Sequence, residues 1–295
     1  MKQISGIDTP VKGGMAVLKP FDIRAHSPDG YIFTRWLATL PLWTPLLIIA
    51  AIGVYPSIVY AQSGFSIDDA FGALWRWMPF LLVSGFLFNV LISFWTLVIG
   101  TCAGAALGLG QISTFGPLRA FSWFITQLFR NSPWLVILFI VLLALPFELT
   151  IFGQTIRVPD WMKGVFGLSL PVMANISEVV RGAVQSVPTA QWEAAESLAF
   201  SRRQILWQII LPQCFKRMLP PWMNWYAILT MATPLCSLLG IEEIITLSRQ
   251  AMEAEDNHPE LLVPFYGFAL LLFFVYCYPI ARLTMRLERK YAVKL

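Results

Sequence analysis

Charge is scarce in this 295-residue chain. Asp, Glu, Lys and Arg together make up 13%, while hydrophobic residues reach 57%, against about 25% charge in an ordinary soluble domain. A chain this apolar cannot cover its surface with polar groups in water, which excludes a soluble globular domain and points to one helical membrane unit. Cysteine is also sparse. Cys102, Cys214, Cys236 and Cys277 form no CxxC, and three of them sit in apolar runs, so they read as small packing residues rather than a disulfide framework or a metal site. No signal peptide is expected, because residues 1–35 are polar and the first apolar run begins only at Trp36. A Walker A sequence is missing, so if ATP is used another chain binds it. There is no HExxH, no GxSxG and no pair of carboxylates at membrane depth, and His26 and His258 lie in polar segments. The expectation is therefore no catalytic residue, no metal and no enzyme.

What is present is a series of long apolar runs. Six are readable as spanning helices of about 20 residues, at about 37–61, 80–110, within 120–147, 165–187, 221–244 and 261–282. In the third, the clean run Trp134–Leu145 covers only about 18 Å of a roughly 30 Å hydrocarbon core, so it must extend back through Arg130. The fourth carries Asn175, Ser177, Glu178 and Arg181. Those groups are costly against lipid, so their face is expected to point into protein or a wet cavity. With the N-terminus cytoplasmic, the basic residues gather on the cytoplasmic side and only Arg76, Arg157, Lys163 and Arg249 of 21 fall elsewhere. This positive-inside bias predicts an N-in, C-in, all-α integral membrane protein with about six transmembrane helices. Gly100, Gly104 and Gly108 share one face of the second span, a spacing that suits close helix packing.

Between the fourth and fifth spans, residues 188–221 predict two short helices. One starts near Thr189 as its N-cap. The other starts at Ser201, whose capping box is completed by Gln204, and ends near Leu211 because Pro212 follows. Ala194 and Ala195 keep one surface thin. From residues alone the pair could enter a groove on a partner protein or rest on the membrane surface.

The pattern Glu193-Ala194-Ala195 followed by Ile209-Ile210-Leu211-Pro212 resembles the EAA loop of permeases from bacterial binding-protein-dependent importers. Glu178-Val179-Val180-Arg181-Gly182, Arg130-Asn131-Ser132-Pro133 and the stretch Gln213, Leu219-Pro220-Pro221, Asn224 resemble the polar amino-acid uptake branch. The likeness covers roughly residues 80–285. It leaves a cytoplasmic tail (1–36), an additional N-terminal span (37–61) and a C-terminal tail (286–295) outside or at its margin. The resemblance implies a permease subunit that moves a small polar solute, most plausibly an amino acid or derivative, across the inner membrane. It implies a second permease subunit, same or homologous, two ATPase subunits and an extracytoplasmic solute-binding protein as partners, besides membrane lipid, with no nucleic acid. ATP and Mg would be bound by the ATPases and no cofactor by this chain. ATPase coupling is carried over to Gln191, Glu193, Ala194, Ala195, Ser197, Leu198 and Ala199, the coupling helix of the EAA loop (188–221).

Departures are visible. Ala199 stands where the family usually has Gly, which matters if the position requires positive φ. Met231 to Leu235 replace a common Lys-Asp-Thr-Ser-Leu stretch, Ile137 a Gln, Asn175 a Tyr and Asn89 a Thr. Glu178 and Arg181 share a helix face and, with Arg130, form an ion pair or gate. Asn89, Asn175, Asn224, Thr230 and Thr233 either line a translocation path or bond neighbouring helices. Glu253, Glu255, Asp256, His258 and Glu260 make an acidic external loop that is either solvated or docks a binding protein. The alternative function is an ion-gradient-driven secondary transporter, which would be expected to show more spans and often inverted repeats.

Overall fold

The computed structural model describes residues 65–151 and 154–291. The expected first span, 37–61, and the N-terminal tail lie outside the described residues. The described chain is helical, with one small hairpin.

The first helix, α1 (Ile67–Phe80), opens on a complete capping box: Ser66 Oγ accepts from the Asp69 backbone, and the Asp69 carboxylate accepts from the Ser66 backbone. It continues through a π-helical segment, Leu81–Phe86, into α2 (Leu87–Gln111). The result is a helical run of 45 residues. The second span was expected to begin near residue 80. The helix that contains it begins earlier, at Ile67, since Pro79 does not end it.

The third span is not one helix. It comprises α3 (Gly116–Arg130) and α4 (Trp134–Ala144), which meet at 105°. The elbow is the Arg130-Asn131-Ser132-Pro133 stretch. Asn131 Nδ2 donates to the Gln127 carbonyl at 2.8 Å and Ser132 Oγ to that of Leu128 at 2.6 Å, which closes the end of α3, while Pro133 is the N-cap of α4. An antiparallel hairpin follows, β1 (Glu148–Ile151) with β2 (Gln154–Arg157), pairing Glu148 with Arg157.

Next comes α5 (Asp160–Gln185), the helix the rest of the fold encloses. Lys163, Ser169, Asn175 and Ser177 are all buried on it. The two cytoplasmic-loop helices are α6 (Thr189–Ser197) and α7 (Arg202–Gln204). The capping box at Ser201 is present, with its oxygen accepting from the Gln204 backbone and the Gln204 side chain accepting from the Ser201 backbone. The N-cap of α6 is Pro188, not Thr189, which is already helical. The second helix does not stop at Leu211. It passes through a π-helical segment, Ile205–Ile210, into α8 (Leu211–Ala232), with Pro212 in the first turn. Pro212 lacks an N–H and its ring crowds the carbonyl four residues back, and the π turn opens the backbone at that place.

A 3₁₀ segment, Thr233–Leu239, ends on Gly240 at φ 75°. Residues 244–254, expected to start an external loop, instead form α9 (Ile244–Ala254), bent 50° from the preceding helix. A short 3₁₀ turn, Pro259–Leu261, then leads into α10 (Leu262–Tyr291).

Among the described residues two helical runs, Ile67–Gln111 and Pro259–Tyr291, are long and apolar enough to cross a membrane, and the two bent pairs raise the number to four. Helix α5 fails such a test because of its polar residues, although 26 residues span about 39 Å. It is sheathed instead. The main core joins Ile92 and Leu97 of α2, Leu138 of α4, Leu229 of α8 and Cys236, Leu239 and Ile241 to the α5 residues Val165, Leu168, Val172, Ile176 and Val180. A second core packs α1, α9 and α10 through Leu74, Leu247, Met252 and Phe265.

The glycine face does what its spacing suggests. A Cβ on Gly100 would stand 2.6 Å from Val172 Cγ1, on Gly104 2.6 Å from the Met173 carbonyl oxygen, and on Gly108 2.7 Å from Val180 Cβ. Helices α2 and α5 therefore touch backbone to backbone. Gly104→Val is expected to cost about 1–3 kcal/mol through overpacking. Gly72→Ala, where nothing stands within 4 Å of the added carbon, should be neutral or slightly stabilising. Thermal unfolding of the two variants in detergent checks the contrast.

Candidate coupling site and the polar clusters

Helix α6 is short, and its ends are built for stiffness. Its C-terminus is a Schellman turn: the Phe200 N–H donates to the Ala195 carbonyl at 3.2 Å and the Ala199 N–H to that of Glu196 at 2.9 Å. Ala199 closes the turn at φ 60°. That is the left-handed conformation in which Gly is usual, so the departure from the family residue keeps the same turn at a strain on the order of 1 kcal/mol. Four residues of the expected coupling set, Glu193, Ala194, Ser197 and Leu198, are exposed together with Ala199. Ala195 is not on that surface. It is 3% exposed and packs with Val184, Val187, Ile205, Ile210 and Cys214 beneath the helix. Its small side chain lets α6 sit down on the ends of α5 and α8, whereas Ala194 keeps the outer face thin. Gln191 is half-buried.

Glu178 is held by two guanidinium groups, Arg181 at 2.6 Å within α5 and Arg130 at 3.3 Å from the end of α3. The three residues grouped from sequence thus meet, as a bridge between the elbow and α5. Beside them lies a cluster that sequence reasoning missed. Gln111 Nε2 donates to Thr126 Oγ1 at 3.1 Å and to Ser177 Oγ at 3.2 Å, joining α2, α3 and α5. The signal available was weak: three uncharged polar residues on three separate apolar helices.

The expected path residues separate. Asn89 and Thr233 are fully buried and bonded to each other at 2.9 Å. Asn89 also donates to Glu243 at 2.9 Å and accepts from the Ile244 N–H at 3.1 Å, and Glu243 accepts from the Ile245 and Thr246 N–H groups as the N-cap of α9. Glu243, absent from the sequence-based candidates, is the centre of this joint and is 0% exposed. Thr230 is buried and donates to the Tyr226 carbonyl, and Asn175 donates to that of Pro171. Asn224 alone of the five is exposed, on α8.

In the acidic segment, Glu255 is a structural clamp. It accepts from Trp77 Nε1 at 3.0 Å and pairs with Arg76 at 2.8 Å, tying α9 to α1. His258 stacks on Phe65 at 4.2 Å. No group of three metal-binding side chains occurs among the described residues.

Residues 97–291 match the family described as "Binding-protein-dependent transport system inner membrane component". The chain is 30% identical over 190 residues, 63% of this chain and 80% of the relative, to a probable amino-acid ABC transporter permease protein y4tF of Sinorhizobium fredii. It is 30% identical over 202 residues, 67% and 90%, to the arginine transport system permease protein ArtQ of Bacillus subtilis. Among solved structures, an amino acid ABC transporter crystallised with histidines aligns at a TM-score of 0.62 with 22% identity, covering 74% of this chain and 96% of that one. An inward-facing methionine transporter, MetNI, aligns at 0.59 with 19% identity, covering 73% and 98%. The chain belongs to the family of inner-membrane components of binding-protein-dependent transport systems. It is a permease subunit of an ATP-driven importer, and the ion-gradient alternative is set aside.

Two outcomes follow from the geometry. Ala199→Gly should relieve the left-handed strain and stabilise the chain by about 1 kcal/mol, read as a higher unfolding midpoint in detergent. The hydrogen bond from Trp77, and then the Arg76 pair, hold the Glu255 carboxyl below its ordinary value. A lowered pKa means that the stabilisation is complete above the unfolded value of about 4.3 and is lost as the pH falls through the folded one. The melting difference between the native chain and Glu255→Gln should therefore be present at neutral pH and vanish in acid.

Proposed function

We propose that this chain is one of a pair of permease subunits, crossing the inner membrane six times with both ends in the cytoplasm and driven by two ATPase subunits that dock on α6. The single observation that carries the reading is mechanical. The exposed face Glu193, Ala194, Ser197 and Leu198 ends in a closed turn, and the helix after that turn runs without a break from Arg202 to Leu239. A displacement imposed on α6 is passed along α8 instead of being lost in a loop.

ATP and Mg are bound, and the ATP is hydrolysed, on the partner subunits and not on this chain. Domain limits of 80–285 for the transporting core, with 37–61 as an added span and 1–36 and 286–295 as tails, fit this arrangement. The solute is a small polar molecule, an amino acid or derivative, delivered by a solute-binding protein; the amino-acid and arginine permeases among the relatives support that class. Within the membrane part, Asn224 is the candidate path residue. An exposed amide on a spanning helix is costly against lipid, so this face of α8 turns to the paired permease or to the solute. Next to it, Met218, Leu219 and Trp222 border an apolar cavity of about 340 Å³ between α2, α5 and α8.

Glu193→Lys should insert and fold normally but reduce ATP-dependent uptake in proteoliposomes to background. Unchanged uptake would remove Glu193 from coupling. Co-purification of the wild-type chain with a Walker-motif ATPase, lost or weakened by the same substitution, locates the defect at the docking face.

A further inference from the structure

Two adjoining cavities, of about 480 and about 320 Å³, open where the ends of α2 and α5 meet the start of α3 and α6; both are bordered by Gln111, Arg119 and Gln185. Every charged residue lining them is an arginine: Arg119 borders both, Arg202 the larger and Arg181 the smaller. Arg181 is neutralised by Glu178. The Arg119 guanidinium has no ion pair or hydrogen bond among the described residues, and that of Arg202 has only the Trp192 ring at 5.8 Å. Two uncompensated guanidinium groups thus face a concavity whose remaining polar lining is uncharged, the hydroxyls of Ser113, Thr114 and Thr189 and the carboxamides of Gln111 and Gln185. This is donor chemistry for an anion of phosphate type.

Helix α3 indicates the source of the phosphate. Its polar stripe is Arg119, Ser122, Thr126 and Arg130, with Ser122 and Thr126 buried and the two arginines exposed at its ends. Its other stripe leaves Leu118, Phe121, Phe124 and Leu128 exposed, and Trp123 both stands 56% exposed and borders the smaller cavity. An apolar stripe beside a basic cavity, with tryptophan at the boundary, suits acyl chains on the helix and a headgroup among the arginines. A free phosphate or an acidic protein segment would use the arginines alone, whereas a lipid uses the arginines and the apolar stripe beside them.

We propose that the joined cavities bind the phosphodiester headgroup of an anionic phospholipid, with its acyl chains along the outer face of α3. Assigning this lipid to the cytoplasmic leaflet rests on the placement of α6 proposed above; the binding itself does not.

The test uses the purified full chain in detergent, titrated with phosphatidylglycerol or phosphatidylcholine and read by native mass spectrometry. The expected result is preferential retention of phosphatidylglycerol, weakened on the order of tenfold by Arg119→Ala or Arg202→Ala, the loss of one charge-assisted contact. Arg119→Lys should lose less, which separates loss of the site from misfolding. The Glu193→Lys variant should retain lipid like the native chain, so that failure here and failure of the coupling reading remain distinct. Equal retention of the two lipids, or unaltered retention by both alanine variants, overturns the proposal. Displacement by inorganic phosphate assigns the site to free phosphate, and displacement by the ATPase in the assembled complex assigns the arginines to an acidic protein segment; either result removes the lipid.

Discussion

The fold rests on the backbone contact between α2 and α5. Helix α5 carries a buried lysine, an asparagine and two buried serines, a set no helix can present to hydrocarbon. It becomes a membrane helix only when other helices cover it. Lipid gives no hydrophobic reason for helices to associate, so the cover must come from close packing and interhelical hydrogen bonds. Gly100, Gly104 and Gly108 supply the first by letting Val172, Ile176 and Val180 press against bare backbone. The same approach brings Gln111 within hydrogen-bond reach of Ser177 and Thr126. Packing and polar satisfaction are one event here: separating the helices would both open the seam and strand the amide.

From that fixed pair the moving parts can be ordered. At one end, α6 sits on Ala195 and is closed by the turn at Ala199, and the chain then rises through a π turn into α8. At the far end of the same helical run the direction changes at Gly240, and the Glu243–Asn89–Thr233 joint pins the new direction to α2. The arms of the joint are all satisfied: the carboxylate caps α9 while the asparagine bonds on both sides. A rigid run held at one end by packing and at the other by a buried polar knot moves as a body or not at all. This is what coupling over the length of a membrane requires, because packed interfaces switch between discrete arrangements and do not bend continuously.

Sequence reasoning reached the helical membrane class, the glycine face, the capping box at Ser201 and the Glu178–Arg181 pair, because each is written within a few residues of one helix. The coupling segment was assigned through its resemblance to the EAA loop, since its residues alone left a partner groove and the membrane surface equally open. What it misjudged is long-range or depends on proline. Pro212 was expected to end a helix, yet it lies inside a helical run, since the π turn before it accommodates the missing N–H. The elbow at Asn131–Ser132 broke a span that hydropathy alone would have run straight. Glu243 could not be found from the sequence. A lone glutamate in a polar patch resembles any solvated one until Asn89, more than 150 residues away, is seen to meet it.

That joint also bears on the departures from the family pattern. Asn89 stands where the family commonly has Thr, and taken alone it could signal a different solute. It donates to both Thr233 and Glu243, and all three are buried, without an open valence for a ligand. A departure satisfied in this way is explained by the joint and needs no solute to account for it. Asn175, another departure, donates to a carbonyl of its own helix, which removes it from the same argument. The buried polar groups that look most unusual in the sequence thus serve to join and close helices, and as differences from the family pattern they carry no argument for a different solute.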